Sequence, residues 1–277
     1  MKSFHRRTAR PTPHPVHHEA VPVERHGLAR IDSLLVEKGL APSRTVAQRM
    51  IAGGRVRVDG ETVAKASQAV ADSVSLEIIA NEEDRFVSRG GLKLAGALAH
   101  SGIDPRGMQC LDVGQSTGGF SDCLLQAGAA KVVGVEVGHD QLHPRLRSDP
   151  RVLCLEALNA RGLTAGDLGE AMPASGFELI VCDASFISLA LLMPQWPALL
   201  APRGQILALV KPQFEVGPGG LAKGGIVRDA ARFAEVEARI REAAAAAGLA
   251  LVDFFDSPIT GGDGNREFFV HATHVGG

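Results

Sequence analysis

Apolar residues along the chain keep two different periods. Between positions 29 and 51 they recur at helical spacing: Ile31, Leu34 and Leu35 in "ARIDSLLVEKGL", then Val46, Ala47, Met50 and Ile51 in "PSRTVAQRMIAGG". Ser43 is placed to cap the second helix, and Gly39 and Gly53 to end the two. The pattern then turns to alternation. "RVRVDGETV" sets Arg55 and Arg57 against Val56 and Val58 and reaches Asp59-Gly60, a strong hairpin signal. "SVSLEII" reads as one more short strand. These elements predict a small α+β domain over residues 28–81.

A longer alternation of strands and helices follows. "LKLAGALAHSG" has helical spacing, and the run Cys110 to Val113 leads through Gly114 and Gly118-Gly119 into a helix carrying Phe120, Leu124 and Leu125. "KVVGVEVG" closes on Glu136, "RVLCLEA" follows Pro150, "FELIVCDASFIS" ends its apolar run at Asp183, and "GQILALVKPQFE" ends its run at Lys211. A helix from about Arg228 to Ala247 precedes two strands, "LVDFFDSPI" and "REFFVHATH", joined by "TGGDGN". This order predicts an α/β, doubly wound and mostly parallel sheet over residues 90–277, with the last strand antiparallel. Residues 82–89 read as a linker. Residues 1–27, rich in Pro, His and Arg, read as a disordered arm, because they cannot form a packed core and lack the apolar stretch of a secretion signal.

Composition narrows the classes. The 277 residues carry a formal net charge of −2, so any affinity for nucleic acid must come from local patches. One candidate patch is Arg44 and Arg49 on the second helix with Arg55 and Arg57 on the strand after it, flanked by Arg30 and Lys65. On spacing alone, a track for a phosphate backbone and a plain solvated face stand level. Cys110, Cys123, Cys154 and Cys182 show no C-x-x-C spacing, which points to reduced thiols in a cytoplasmic protein and to no metal site. Asp183, Pro194, Pro197 and Arg203 interrupt the longest apolar runs, so no membrane span is expected.

The glycine turn carries the chemistry. A strand, a glycine turn and a helix set backbone N–H groups beside a ligand at the sheet's carboxyl edge. The spacing here is G-x-x-x-G-G, which weakens a dinucleotide reading. Asp112, Gly114 and Glu136 suit a nucleoside bearing positive charge, as S-adenosylmethionine does; an ordinary strand-turn-helix is the bland alternative. Asp183 and Lys211 end parallel strands, and an antiparallel last strand brings its first residue, Glu267, to the same edge. Lys93 lies in the first turn of its helix, unfavourable for the helix dipole, and is a candidate functional amine. By position alone a plain exposed lysine is an equal reading.

Two stretches resemble known families. Residues 29–80, through R-x-D-x-L-L, S-R-x-x-A and G-x-V-x-V-D-G, resemble the RNA-binding module first known from small-subunit ribosomal protein four. That resemblance implies that Arg44, Arg49, Arg55 and Arg57 face structured RNA; Arg30, Lys65, Arg89, Lys223 and Arg228 complete the expected RNA-binding set. Residues 86–271, through "SRGGLKL", "LDVGQSTGGFSDCLLQ", "DASFISL", "LVKPQFE" and "KGGIVRD", resemble the TlyA family of RNA methyltransferases, historically labelled hemolysins, and more distantly the FtsJ-type ribose 2′-O-methyltransferases.

This second resemblance implies a Rossmann-like methyltransferase sheet, with Lys93, Asp183, Lys211 and Glu267 as catalytic tetrad and S-adenosylmethionine as cofactor. The expected cofactor contacts are Asp112, Gly114, Gln115, Ser116, Thr117, Gly118, Gly119, Phe120, Glu136, Asn159 and Asp183. The implied reaction is methylation of a cytidine 2′-hydroxyl in ribosomal RNA. Two departures stand out: Gln115 where a small residue is usual, and Glu136 where aspartate is commoner. The alternatives are an RNA-binding protein with an inactive methyltransferase fold and a pore-forming haemolysin.

Overall fold

The computed structural model describes residues 27–41, 43–222 and 224–275. The expected arm, apart from Gly27, and Lys223 lie outside them. The described residues divide into two compact units, the first up to Ala80 and the second from Asn81 onward.

The first unit contains β1 (Leu28–Arg30), α1 (Ile31–Glu37), α2 (Arg44–Ala52), β2 (Val56–Val58), β3 (Glu61–Thr62), β4 (Ala69–Ala71) and β5 (Leu76–Ile78). Ser43 caps α2 by accepting from the Val46 N–H. Asp59 and Gly60, with φ of 50° and 88°, make the turn between β2 and β3. The core is built from the helical positions read from the sequence, Ile31, Leu34, Leu35, Ala47, Met50 and Ile51, closed by Val56, Val63 and Val70. The antiparallel pair of β1 with β4 is an addition. Three residues per strand give alternation too little length to show.

The second unit contains α3 (Gly90–Ser101), β6 (Gln109–Val113), α4 (Gly119–Gln126), β7 (Lys131–Val135), α5 (Pro144–Arg147), β8 (Val152–Leu155), α6 (Ala165–Leu168), β9 (Phe177–Cys182), β10 (Leu200–Val210), α7 (Pro212–Glu215), α8 (Ala230–Ala246), β11 (Leu249–Asp256) and β12 (Phe268–His274). Seven strands form one sheet in the order β11-β12-β10-β9-β6-β7-β8. All neighbours pair in parallel except β12, which runs antiparallel to both β10 and β11.

Side chains of β10 alternate between two buried faces. Ile206, Ala208 and Val210 join the cluster under α8, while Leu207 and Leu209 join the one under α3 and α4. Burial on both faces is why these strands read as unbroken apolar runs.

Residues 82–89 are more than the expected linker. Phe86 is only 5 % exposed, and its ring fills the space a Cβ on Gly91 would need. The Val87 N–H donates to Asp122 Oδ2 at 2.8 Å. An aromatic side chain in a polar stretch gains by burial, and here it fastens the entry of α3.

Candidate active site

Each charged residue at the sheet's carboxyl edge is placed by a strand boundary. Asp183 follows β9, Lys211 follows β10, and Glu267 precedes the antiparallel β12. The ladder of β10 with β12 ends at Val210 opposite Phe268, so Lys211 and Glu267 are the residues that leave it. Lys93 lies on the buried side of α3.

The four form two ion pairs. Lys93 Nζ is 2.6 Å from Glu267 Oε2, with side-chain exposures of 10 % and 3 %. Lys211 Nζ is 2.7 Å from Asp183 Oδ1. Lys211 also donates to Ser185 Oγ at 2.8 Å, and its remaining reach is to the Asp183 carbonyl oxygen at a long 3.4 Å. Burial pushes the Glu267 carboxyl above its ordinary value, and the adjacent Lys93 ammonium offsets part of that rise.

Three hollows meet here. A cavity of about 540 Å³ lies beside Val113, Gly114, Glu136, Leu158, Asn159 and Asp183. A smaller one of about 140 Å³ is lined by Gly114, Gln115, Ser116, Thr117, Gly119 and Phe120, with Asp183 and Lys211 on its far wall. A third, of about 500 Å³, opens over Lys93, Lys211, Gln213, Asp263 and Glu267. Gly114 has φ of 81°, and a Cβ there would lie 2.9 Å from Ala184 Cα, so the turn tolerates no side chain. Glu136 is held in place by N–H groups of Ser116 and Gly138, both at 2.8 Å, and Gln141 also reaches it.

Not every expected cofactor residue faces a cavity. Gly118 is covered by Leu142 and Leu146. Asp112 is fully buried and lines none of the three. Its Oδ2 accepts from Ser121 at 2.6 Å, and Ser121 accepts from Gln115 Nε2 at 2.7 Å. Burial pushes the Asp112 carboxyl up to about 7; the Ser121 bond opposes the rise, and the charges of Asp183 and Glu136 add to it. Gln115 borders the small cavity, but its amide turns inward and lies over Gly134, filling the place of a Cβ there. The departure from a small residue is thereby accommodated inside the sheet.

The sequence reading passed over Ser185, Gln141, Gln213 and Asp263, all of which line cavities. For Ser185 a signal existed, since it stands two residues after Asp183. The reading also passed over Glu215, which is 2 % exposed and accepts from Ser188 Oγ and the Leu189 N–H at 2.6 and 2.7 Å. It fastens the loop after Asp183 to the segment after Lys211.

In the first unit the expected basic residues part company. Arg30 and Arg44 are exposed yet both bind Asp32, which is fully buried and also accepts from Gln48. These bonds, that of Arg30 first, hold the Asp32 carboxyl well below the usual range. Arg49 and Lys65 are exposed, and Arg57 is half-buried and pairs with Glu77 at 3.5 Å. Arg55 does not face outward as expected. It is 9 % exposed, and its Nε donates to the Ile79 carbonyl, because the strand's alternation is lost where the chain leaves α2. In the second unit, Arg89 is half-buried and reaches the Thr260 carbonyl, while Arg228 is exposed.

Known proteins share this architecture. The family model for FtsJ-like methyltransferases matches residues 86–274, and that for the S4 domain matches residues 29–73. The 16S/23S rRNA (cytidine-2′-O)-methyltransferase TlyA of Mycobacterium tuberculosis is 43 % identical over 242 residues, 87 % of this chain and 88 % of its own. Hemolysin A of Brachyspira hyodysenteriae is 36 % identical over 242 residues, 87 % of this chain and 98 % of its own. A solved structure of a hemolysin-named protein from Streptococcus thermophilus superposes with a TM-score of 0.71 at 37 % identity, covering 91 % of this chain and 90 % of that one. Among the described residues, no helix is long and apolar enough to cross a membrane.

Proposed function

The chain belongs to the TlyA family of FtsJ-like methyltransferases, and from that premise we propose that it methylates the 2′-hydroxyl of a cytidine in ribosomal RNA, with S-adenosylmethionine as donor. The observation that carries the reading is the pair of lysine–carboxylate contacts where the three cavities meet.

The donor set fits this cofactor. The 540 Å³ cavity carries Glu136 and Asp183 among its lining residues and no lysine or arginine, which suits a cationic nucleoside and not a phosphate. Glu136 and Asn159 would hold the ribose and base end, and Gly114 to Thr117 the amino-acid end. Glu136 Oε2 keeps a lone pair beyond its Ser116 N–H partner, whereas Oε1 already accepts from Gly138 and Gln141. S-adenosylmethionine, when bound, supplies an electrophilic methyl group.

The protein's own residues then prepare the nucleophile. A ribose hydroxyl is a weak acid, so negative charge developing on its oxygen needs donors already aimed at it. Lys211 is fixed by Asp183 and Ser185, and its third N–H, bound only at 3.4 Å, is free to turn to that oxygen. Lys93, fixed by Glu267, places a second positive charge beside the same cavity. Two lysines, each seated against a carboxylate, face the place where negative charge develops, and that arrangement supports charge stabilisation. Asp183 Oδ2 carries no hydrogen bond among the described residues and accepts the hydroxyl proton. Holding hydroxyl and methyl in line accounts for much of the remaining rate.

The first unit supplies binding. Arg44 and Arg49, with Arg30, Arg57 and Lys65, contact the phosphate backbone, and Asp32 preorganises Arg30 and Arg44 for that task. Mapping 2′-O-methyl positions in ribosomal RNA from cells with and without the protein tests the whole reading. A cytidine methylated only in its presence is expected, and identical maps would refute it.

A further inference from the structure

Ser185 lines all three cavities, which neither Asp183 nor Lys211 does. It is exposed to them and follows Asp183 by two residues on the loop after β9. Its Oγ accepts from Lys211 Nζ at 2.8 Å. A serine hydroxyl offers one donor and two acceptor sites. The lysine uses one acceptor site, and no acceptor for the hydroxyl proton is present among the described residues.

We propose that Ser185 is a further catalytic residue, whose hydroxyl donates to the reacting ribose oxygen while Lys211 donates to Ser185. This rests on the ribose-methylation reading above. An ammonium bound at Oγ polarises the O–H bond, so the hydroxyl is a stronger donor than an isolated serine. With the third N–H of Lys211, it makes a two-donor cradle for the oxygen that gains negative charge. Asp183 Oδ2 stays free to take the proton. A serine that only steadied Lys211 would have no reason to stand open at the meeting of three cavities.

The loop is exposed, so truncation there spares the core. Single-turnover methyl transfer to ribosomal RNA is measured for wild type, Ser185→Ala and Ser185→Thr, with cofactor and RNA affinities determined separately by equilibrium binding. Loss of one such donor lowers the chemical step by about a hundredfold or more. The expected result is that fall for Ser185→Ala with both affinities within about twofold of wild type, and recovery of most of the rate in Ser185→Thr, which keeps the hydroxyl. A Ser185→Ala rate equal to wild type overturns the proposal. So does a loss confined to affinity, or a Ser185→Thr variant as slow as Ser185→Ala. Should wild type itself transfer no methyl to ribosomal RNA, the function reading fails first, which is a separate result from an active wild type with an active Ser185→Ala.

Discussion

Lys93 Nζ and Glu267 Oε2 lie 2.6 Å apart, joining the first helix of the second unit to the start of its last strand. Both side chains are nearly buried, so removing one leaves the other charge without compensation. Glu267→Ala is expected to cost about 3–5 kcal/mol of stability and to abolish transfer, whereas Lys93→Met with Glu267→Met recovers much of the stability and none of the activity. Denaturant unfolding beside a methyl-transfer assay distinguishes the two effects. Equal stability of the single and double variants would show the pair to be unimportant for the fold.

Lys211 touches Asp183 and Ser185, stands outside the 540 Å³ cavity and reaches the 140 Å³ one only at its far wall, with its ammonium already occupied by Asp183. Lys211→Ala is therefore expected to lower the transfer rate by about 10²–10³ while leaving cofactor affinity nearly unchanged. Calorimetric titration of the cofactor and a rate measurement give the two numbers. An undiminished rate removes Lys211 from the chemistry.

Asp112 has a distinct pH signature. Burial raises its carboxyl from an ordinary value near 4 to about 7, so between those limits the folded state holds a proton that the unfolded state has released. Its contribution to stability is full below about pH 4 and declines as pH rises to about 7. Asp112→Asn lacks this dependence. Across that window wild type should lose roughly 2–4 kcal/mol relative to the variant. A constant difference in melting temperature between pH 4 and 8 would contradict this.

Gln115 and Gly134 are coupled through space. A Cβ on Gly134 runs into the Gln115 amide, which is tied to Ser121. Gly134→Ala is expected to cost about 1–3 kcal/mol in wild type and far less after Gln115→Ala. A double-mutant cycle measures the coupling, and simple additivity would count against it.

Arg49 and Arg55 should separate binding from folding. Arg49→Ala is expected to weaken RNA binding and to reduce the salt slope by about one while leaving melting unchanged. Arg55→Ala, which leaves the Ile79 carbonyl without the Arg55 Nε donor, should lower stability by about 1–3 kcal/mol. Salt-series binding and thermal melts test both. Reversed phenotypes would place Arg55 at the RNA surface.

The fold was legible because the sheet's buried strands are mostly apolar runs, and the charges that follow β7, β9 and β10 mark the edge. Asp183, Lys211 and Glu267 could be read this way since register alone brings them together. The partnering of Lys93 with Glu267 and of Lys211 with Asp183 depends on how α3 packs and on side-chain reach, which no periodicity encodes. The inward turn of Gln115 was hidden for the same reason, as it depends on an empty place at Gly134 across the sheet. Arg55 misled because alternation predicts a direction for a side chain and says nothing of the carbonyl waiting at Ile79.

The antiparallel ladder of β10 with β12 makes the placing of Glu267 sensitive to single-residue insertions within the strand, and the ladder's register is unaffected by insertions in the loop before it. An extra residue in the loop from Ser257 to Arg266 is absorbed outside the ladder. One inserted within β12 reverses the facing of every side chain before it and swings Glu267 away from Lys93. Natural length variation in descendants of this chain should therefore collect in the loops and spare that strand.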